Sequence, residues 1–236
     1  MKQPAFSFEP SRHLITLPAE QLLDQFGGGM HSPGSGSAAA FMGLLSAQLT
    51  ATVCKISSNN ANEAAQFSFV LNRLEQRVIP DLKRLFQKDA EDFDKVIKTR
   101  VQRDGETDPV LKRRLREQAL RQLEEATDLV FLIARHCLQL VDFALAVFDA
   151  GAKKVRGDSG AAISSAIAGA MSAVFIINLN LRSFQNSKWA IGRRREAEIL
   201  HAEILDKQED AFRRIVTLQP ESINAIQPSF FDGDNW

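Results

Sequence analysis

Between His31 and Cys54 the chain carries no Asp, Glu, Lys or Arg, and its side chains are mostly small or apolar. This run constrains the fold more than any other stretch. Ala and Leu favour helix, and small residues on every side let neighbouring helices come close, so the run predicts a helix at the centre of a bundle. It opens on Pro33, Gly34, Ser35, Gly36 and Ser37, a turn that stops the preceding chain and offers serines for capping. The first N–H groups of a helix have no intrahelical partners and lie at the positive end of its dipole. The turn therefore reads either as a seat for an anion or carbonyl, or as a tightly packed helix start without a ligand.

A second uncharged run, Ser159 to Leu181, repeats the pattern. Asp158 stands at its entrance as the expected N-cap, with a role in a site as the other reading. Both runs are long enough to cross a bilayer, which takes ~20 residues. The helices between them are charged and amphipathic, and buried small-residue helices of a soluble bundle have the same signature, so no membrane partner is expected.

In chain order, residues 1–17 read as an N-terminal arm, with Pro4 and Pro10 and no period. Pro18 to Phe26 is a short helix stopped by Gly27, Gly28 and Gly29. After the central helix, Phe67, Leu71, Leu74 and Val78 recur at helical spacing up to Pro80, which marks a kink or a new start. Asp108 and Pro109 cap a long helix ending at Ala150; on its second half Asp128, Arg135, Gln139 and Asp142 share one stripe, read as solvent-facing or as cleft lining. Lys153, Lys154 and Arg156 precede the second apolar helix and face either an anionic ligand or water. A last amphipathic helix spans about Ala190 to Thr217, and residues 218–236 form a tail that either docks its aromatics or stays unpacked. No strand-like alternation competes, so the fold expected is all-α: an up-and-down bundle of five or six long helices with small-residue central helices, over residues 18–217.

One residue departs from its surroundings. In the helix after Pro80 the apolar face holds Leu82, Leu85, Phe86, Phe93, Val96 and Ile97, and at ~100° per residue Asp89 falls within it, while Lys88, Glu91 and Asp94 fall away. A carboxylate aimed into apolar surroundings must be paired or hydrogen-bonded, and desolvation raises its pKa toward the range useful for proton transfer. The alternative is a gap to water or an Arg from another helix.

Balanced charge, with 29 basic and 29 acidic residues, offers nothing to nucleic acid. Cys54 and Cys137 lie in apolar helical patterns and suggest buried thiols in a reducing cytoplasm. The N-terminal stretch has no apolar core of a signal peptide. His13, His31, His136 and His201 have no zinc spacing, so no metal is expected. The Gly/Ser turn is not a P-loop, since no GK[ST] follows.

Three places together resemble the cyclodeaminase/cyclohydrolase family, which includes the cyclodeaminase domain of formimidoyltransferase-cyclodeaminase and bacterial methenyltetrahydrofolate cyclohydrolases. Pro33 to Ala40 resembles the family's PGGGSxAA, with Ser35 for one Gly; Asp89 to Phe93 resembles its D-A-x-A-F; Gly157 and Asp158, with Leu179, Asn180 and Leu181 downstream, resemble its S-D and I-N-L motifs. The match in order and spacing runs from about Leu22 to Gln208. The resemblance implies an all-helical homodimer acting on a tetrahydrofolate derivative without a metal. Asp89 would move the proton, Pro33, Gly34, Ser35, Gly36, Ser37, Asp158 and Asn180 would hold the pterin and reacting carbon, and Lys153 and Lys154 would meet the glutamate tail. Family positions change at Asn59 and Asn60, at Gln102 to Asp104, at Ala152 and at Ile176. These changes motivate an alternative: a catalytically inactive member that keeps the fold for assembly or partner binding.

Overall fold

The computed structural model describes residues 13–58, 64–184 and 187–231, and every regular element among them is helical. The α-helices are α1 (Ala19–Gly27), α2 (Ser35–Ser57), α3 (Ala64–Arg73), α4 (Ile79–Gly105), α5 (Pro109–Ala150), α6 (Arg156–Leu181) and α7 (Lys188–Phe231). The all-α bundle expected from the small-residue runs is the fold observed.

Helix α2 is the axis of the bundle: it packs on α6, α4 and α5, while α5 packs on α6 and α4. Glycine permits the closest approach. A Cβ on Gly169 of α6 would lie 2.9 Å from the carbonyl oxygen of Ala39 and 2.9 Å from Cys137 Sγ, and one on Gly43 of α2 would lie 3.0 Å from the same sulfur. Three helices thus meet at one level with no room for another methyl group, which is why these runs hold Gly and Ala rather than larger apolar residues. Below it, a Cβ on Gly151 would lie 3.1 Å from Val53 Cγ1, and the Ala152 N–H donates to Ser57 Oγ at 2.9 Å. With Gly169 against Ala39 and Gly43, and Gly151 against Val53 and Ser57, α6 runs antiparallel to α2.

Pro80 stands in the first turn of α4. A π-helical turn, Leu74–Val78, joins α3 to α4, and the widened turn accommodates the donor that Pro80 lacks without breaking the helical path. Helix α5 begins as its sequence dictates: Asp108 accepts a 2.8 Å hydrogen bond from the Val110 N–H, with Pro109 in the first turn.

Two ends differ from expectation. Helix α6 starts at Arg156, fed by a 3-10 turn Lys153–Val155, so Asp158 lies in its first turn and does not cap it. Because the turn runs straight into the helix, the start moves upstream of Asp158, whose charge still favours the helix dipole there. Helix α7 continues past Thr217 to Phe231. Once a long helix exists, each added residue escapes the cost of nucleation, and Glu221 to Ile226 contain no glycine to stop it. Residues 1–12 of the arm and 232–236 of the tail lie outside the described residues, as do Asn59 and Asn60.

Candidate functional site

The turn before α2 is pinned to α4, where Ser32 Oγ donates to the Ala90 carbonyl at 2.8 Å and Pro33 is buried. The N-cap of α2 is Gly34, which has no side chain to offer the orphan N–H groups. Asp89 does that work from the neighbouring helix. Its Oδ2 accepts a 2.8 Å hydrogen bond from Ser37 Oγ, and the carboxylate also takes the Ser37 backbone N–H. Gly36 makes this approach feasible, since a Cβ there would overlap the Asp89 carboxylate. The aspartate from the apolar face of α4 and the glycine/serine turn therefore meet.

Asp89 is 6% exposed. Burial pushes its carboxyl up to about 6, against the pull of the Ser37 hydroxyl and N–H, and the negative charge of Asp92 adds to the rise. One turn along α4, Asp92 is also buried but goes the other way. Desolvation opposes its charge, yet Lys88 at 2.7 Å and Lys95 at 2.9 Å together outweigh it and hold the carboxyl below its usual range. Two neighbouring carboxyls thus have separated protonation behaviour: Asp92 stays ionised while Asp89 changes state near pH 6.

Asp92 and Lys88 line a cavity of about 470 Å³ between α4, α5 and α7. Leu85, Leu129 and Phe131 give it an apolar floor; Arg84, Arg135 and Arg193 give it positive charge. Arg193 lies over the Phe131 ring at 4.9 Å and pairs with Asp128 at 2.8 Å and Glu196 at 2.6 Å, while Arg135 also pairs with Glu196. Trp189 Nε1–H donates to Asp128 at 3.2 Å. A second cavity of about 420 Å³ lies on the other flank of α4, where Arg84 and Lys88 border it together with His13 and Gln87. Neither cavity is lined by Asp89 or Ser37.

The polar stripe of α5 divides between two tasks. Asp128 and Arg135 line the larger cavity; further along, Asp142 pairs with Lys207, and Asp149 pairs with Arg214 at 2.7 Å. Asp128, Arg135, Asp142 and Asp149 recur every seven residues on α5 and pair with Arg193, Glu196, Lys207 and Arg214 of α7, so the stripe is the seam between the two helices.

Asp158, Lys153 and Lys154 are not brought to this place. Asp158 is eleven residues from Gly169 toward the C-terminal end of α2, and Ser37 lies the other way from that crossing. At 1.5 Å per residue the two are about 20 Å apart along the bundle. Lys153 and Lys154 are exposed beyond Asp158. Asn180, half-buried near the end of α6, does lie at the Pro33 end. Positive charge gathers instead beside Asp92, in the cavity that Lys88, Arg84, Arg135 and Arg193 line. Asp92 itself was open to discovery from the sequence, since Lys88 and Lys95 flank it at helical pairing distance.

Cys54 and Cys137 are free and buried, their thiols pushed up by desolvation to about 11 and about 12. Among the described residues no three His, Cys, Asp or Glu side chains gather as a metal site requires.

Comparison with known proteins joins these observations. The family model described as formiminotransferase-cyclodeaminase matches residues 18–199, from the entrance of α1 into α7. A methenyltetrahydrofolate cyclohydrolase of Methylorubrum extorquens is 28% identical over 188 residues, which is 78% of this chain and 88% of that protein. The crystal structure of a formiminotetrahydrofolate cyclodeaminase from Thermotoga maritima superposes with a TM-score of 0.73 at 17% identity, covering 86% of this chain and 99% of the other, and shares its fold.

Proposed function

The chain belongs to the formiminotransferase-cyclodeaminase family, and on that premise we propose that it acts on a one-carbon-substituted tetrahydrofolate, with Asp89 carrying the proton. The observation that supports this reading most is the meeting of Asp89 with Ser37 over Gly36, together with a carboxyl pushed up to about 6. A group that titrates close to working pH is efficient at both taking and returning a proton.

The likeness to a methenyltetrahydrofolate cyclohydrolase points to hydration as the leading chemistry. Ionised Asp89 takes one proton from water as the oxygen bonds to the cationic methenyl carbon. It returns that proton to the ring nitrogen as the carbon–nitrogen bond breaks. The hydroxyl proton leaves to solvent as the formyl carbonyl forms, so each turnover releases one proton. In the cyclodeaminase direction the same carboxyl takes the proton of the attacking nitrogen and gives it to the departing ammonia. Neither sequence needs a metal.

We assign the body of the substrate to the cavity of about 470 Å³, a volume in the range of small-molecule sites. Asp89 does not line it, so the reading requires the reacting carbon to reach past Asp92, one helical turn away, to the Ser37–Asp89 contact. Leu129 and Phe131 suit a flat ring, and Arg84, Lys88 and Arg135 suit the carboxylates of a glutamate tail. The Asp92 carboxyl, held below its usual range, and the Asp128 side chain suit the cationic carbon and ring N–H groups. The buried thiols fit a cytoplasmic setting, which we adopt as part of the reading. The comparisons do not favour the non-catalytic alternative.

The test is direct. Purified protein is expected to bind tetrahydrofolate derivatives by calorimetric titration and to accelerate loss of the methenyl absorbance or release of ammonia from the formimino form. Asp89→Asn is expected to lower kcat by 10²–10⁴. Absence of both binding and turnover in the wild-type protein would overturn the proposal, as would full activity in Asp89→Asn.

A further inference from the structure

The cavity of about 420 Å³ on the other flank of α4 is walled by two separate parts of the chain that one hydrogen bond joins. The Leu14 N–H donates to Gln87 Oε1 at 2.8 Å and Leu14 itself is buried, which holds His13 and Ile15 against α4. The Gln87 amide in turn donates to Glu91 at 2.9 Å, so the acid of the lining is turned to a neutral partner. Three cations remain. Lys83, Arg84 and Lys88 all border the cavity, and at ~100° per residue they approach it over an arc of about 140° around α4. Lys83 has no acidic partner among the described residues, Arg84 reaches Asp81 loosely at 3.6 Å, and Lys88 meets Asp92 at 2.7 Å. Like charges four residues apart on one helix, as Arg84 and Lys88 are, repel each other. An anion seated among them removes that cost.

We infer that this cavity binds the phosphate group of a small phosphate monoester. Such a group carries nearly two negative charges at neutral pH and three acceptor oxygens, one for each cation, whereas a carboxylate offers two oxygens in one plane. The Arg84 guanidinium can fork onto two phosphate oxygens, while Lys83 and Lys88 act as point charges on either side of it. Ile15 and the methylene stems of the two lysines give the body of the molecule an apolar wall, and the volume leaves room for it.

Lys88 connects this site to the larger cavity, since it borders both. It cannot serve Asp92 and a phosphate equally, so occupancy of the smaller cavity weakens the pair that holds Asp92 in the larger one. By reciprocity, breaking that pair strengthens phosphate binding. Both statements rest on the cations of α4 and stand whether or not the folate reading holds.

Calorimetric titration of the full chain with phenyl phosphate at constant ionic strength tests the site, with benzoate as the carboxylate of the same body. Saturable binding of phenyl phosphate at one site per chain is expected, tighter than that of benzoate. Lys83→Gln should weaken it by about tenfold or more, the scale of one hydrogen bond to a charged group, and Arg135→Gln in the larger cavity should leave it unchanged. Asp92→Asn, which frees Lys88, should tighten it severalfold; Asp128→Asn, which removes a charge from the larger cavity without touching Lys88, should not. A wild type without saturable binding overturns the proposal. So does benzoate bound as tightly as phenyl phosphate, a loss in Arg135→Gln that Lys83→Gln does not show, or an affinity indifferent to Asp92→Asn.

Discussion

Asp89 serves two demands that pull against each other. It closes the N-terminus of α2, where Gly34 supplies no cap, and it holds its negative charge in a place that disfavours charge. Its ordinary value of 3.8 rises to about 6 in the fold, so the folded state binds this proton more tightly than the unfolded chain does. The stability associated with that proton is fully present below pH 3.8 and lost as pH rises through 6. Two pK units correspond to ~3 kcal/mol. Asp89→Asn cannot ionise, so in chemical denaturation the variant should gain on wild type by up to ~3 kcal/mol between pH 4 and 7.5. A pH-independent difference would mean that Asp89 ionises in the fold as easily as in water. Gly36→Ala tests the other demand. Its methyl group overlaps the carboxylate, and the expected loss is ~1–3 kcal/mol of stability, read by thermal melting, together with most of the activity.

At the scale of elements, the helices differ in how fully local sequence determines them. Asp108, Pro109 and the apolar period through Ala150 predict α5 at the residues observed, because a cap, a first-turn proline and an amphipathic pattern agree. The burial of Asp89 was legible for the same reason: a single helix period places it among Leu82, Leu85 and Phe86. What local pattern does not contain is the direction of one helix against another. Asp158, Lys153 and Lys154 resemble site residues in sequence, and the antiparallel packing of α6 on α2 carries them to the far end. The start of α6 was misplaced because Asp158 is as favourable inside a first turn as at a cap. Close packing at the α2, α5 and α6 crossing gives a further expectation. Gly169→Val sets methyl groups against the Ala39 carbonyl and Cys137 sulfur, and should cost ~1–3 kcal/mol or more, measured by denaturant midpoint. Arg214→Ala, at the edge of the α5–α7 seam, should cost under ~1 kcal/mol because the pair is half open to water.

For the whole molecule, two helices whose long uncharged runs cross at glycine set the framework, and the remaining helices place their charge around it. Helix α4 carries most of the proposed chemistry: Asp89 faces inward to α2, while Asp92, Lys88 and Arg84 face the cavities on its flanks. Within α2 the Ser37–Asp89 contact lies within two turns of that crossing. The pH dependence of kcat/KM for methenyl hydrolysis tests that arrangement most directly. Wild type should gain activity with pH through an acid limb near 6, as Asp89 ionises. In Ser37→Ala the limb should move to higher pH, because the hydroxyl that favours the charged form is gone. A limb that stays in place in Ser37→Ala, or a profile flat through pH 6 in wild type, would contradict the assignment of Asp89 as the proton carrier.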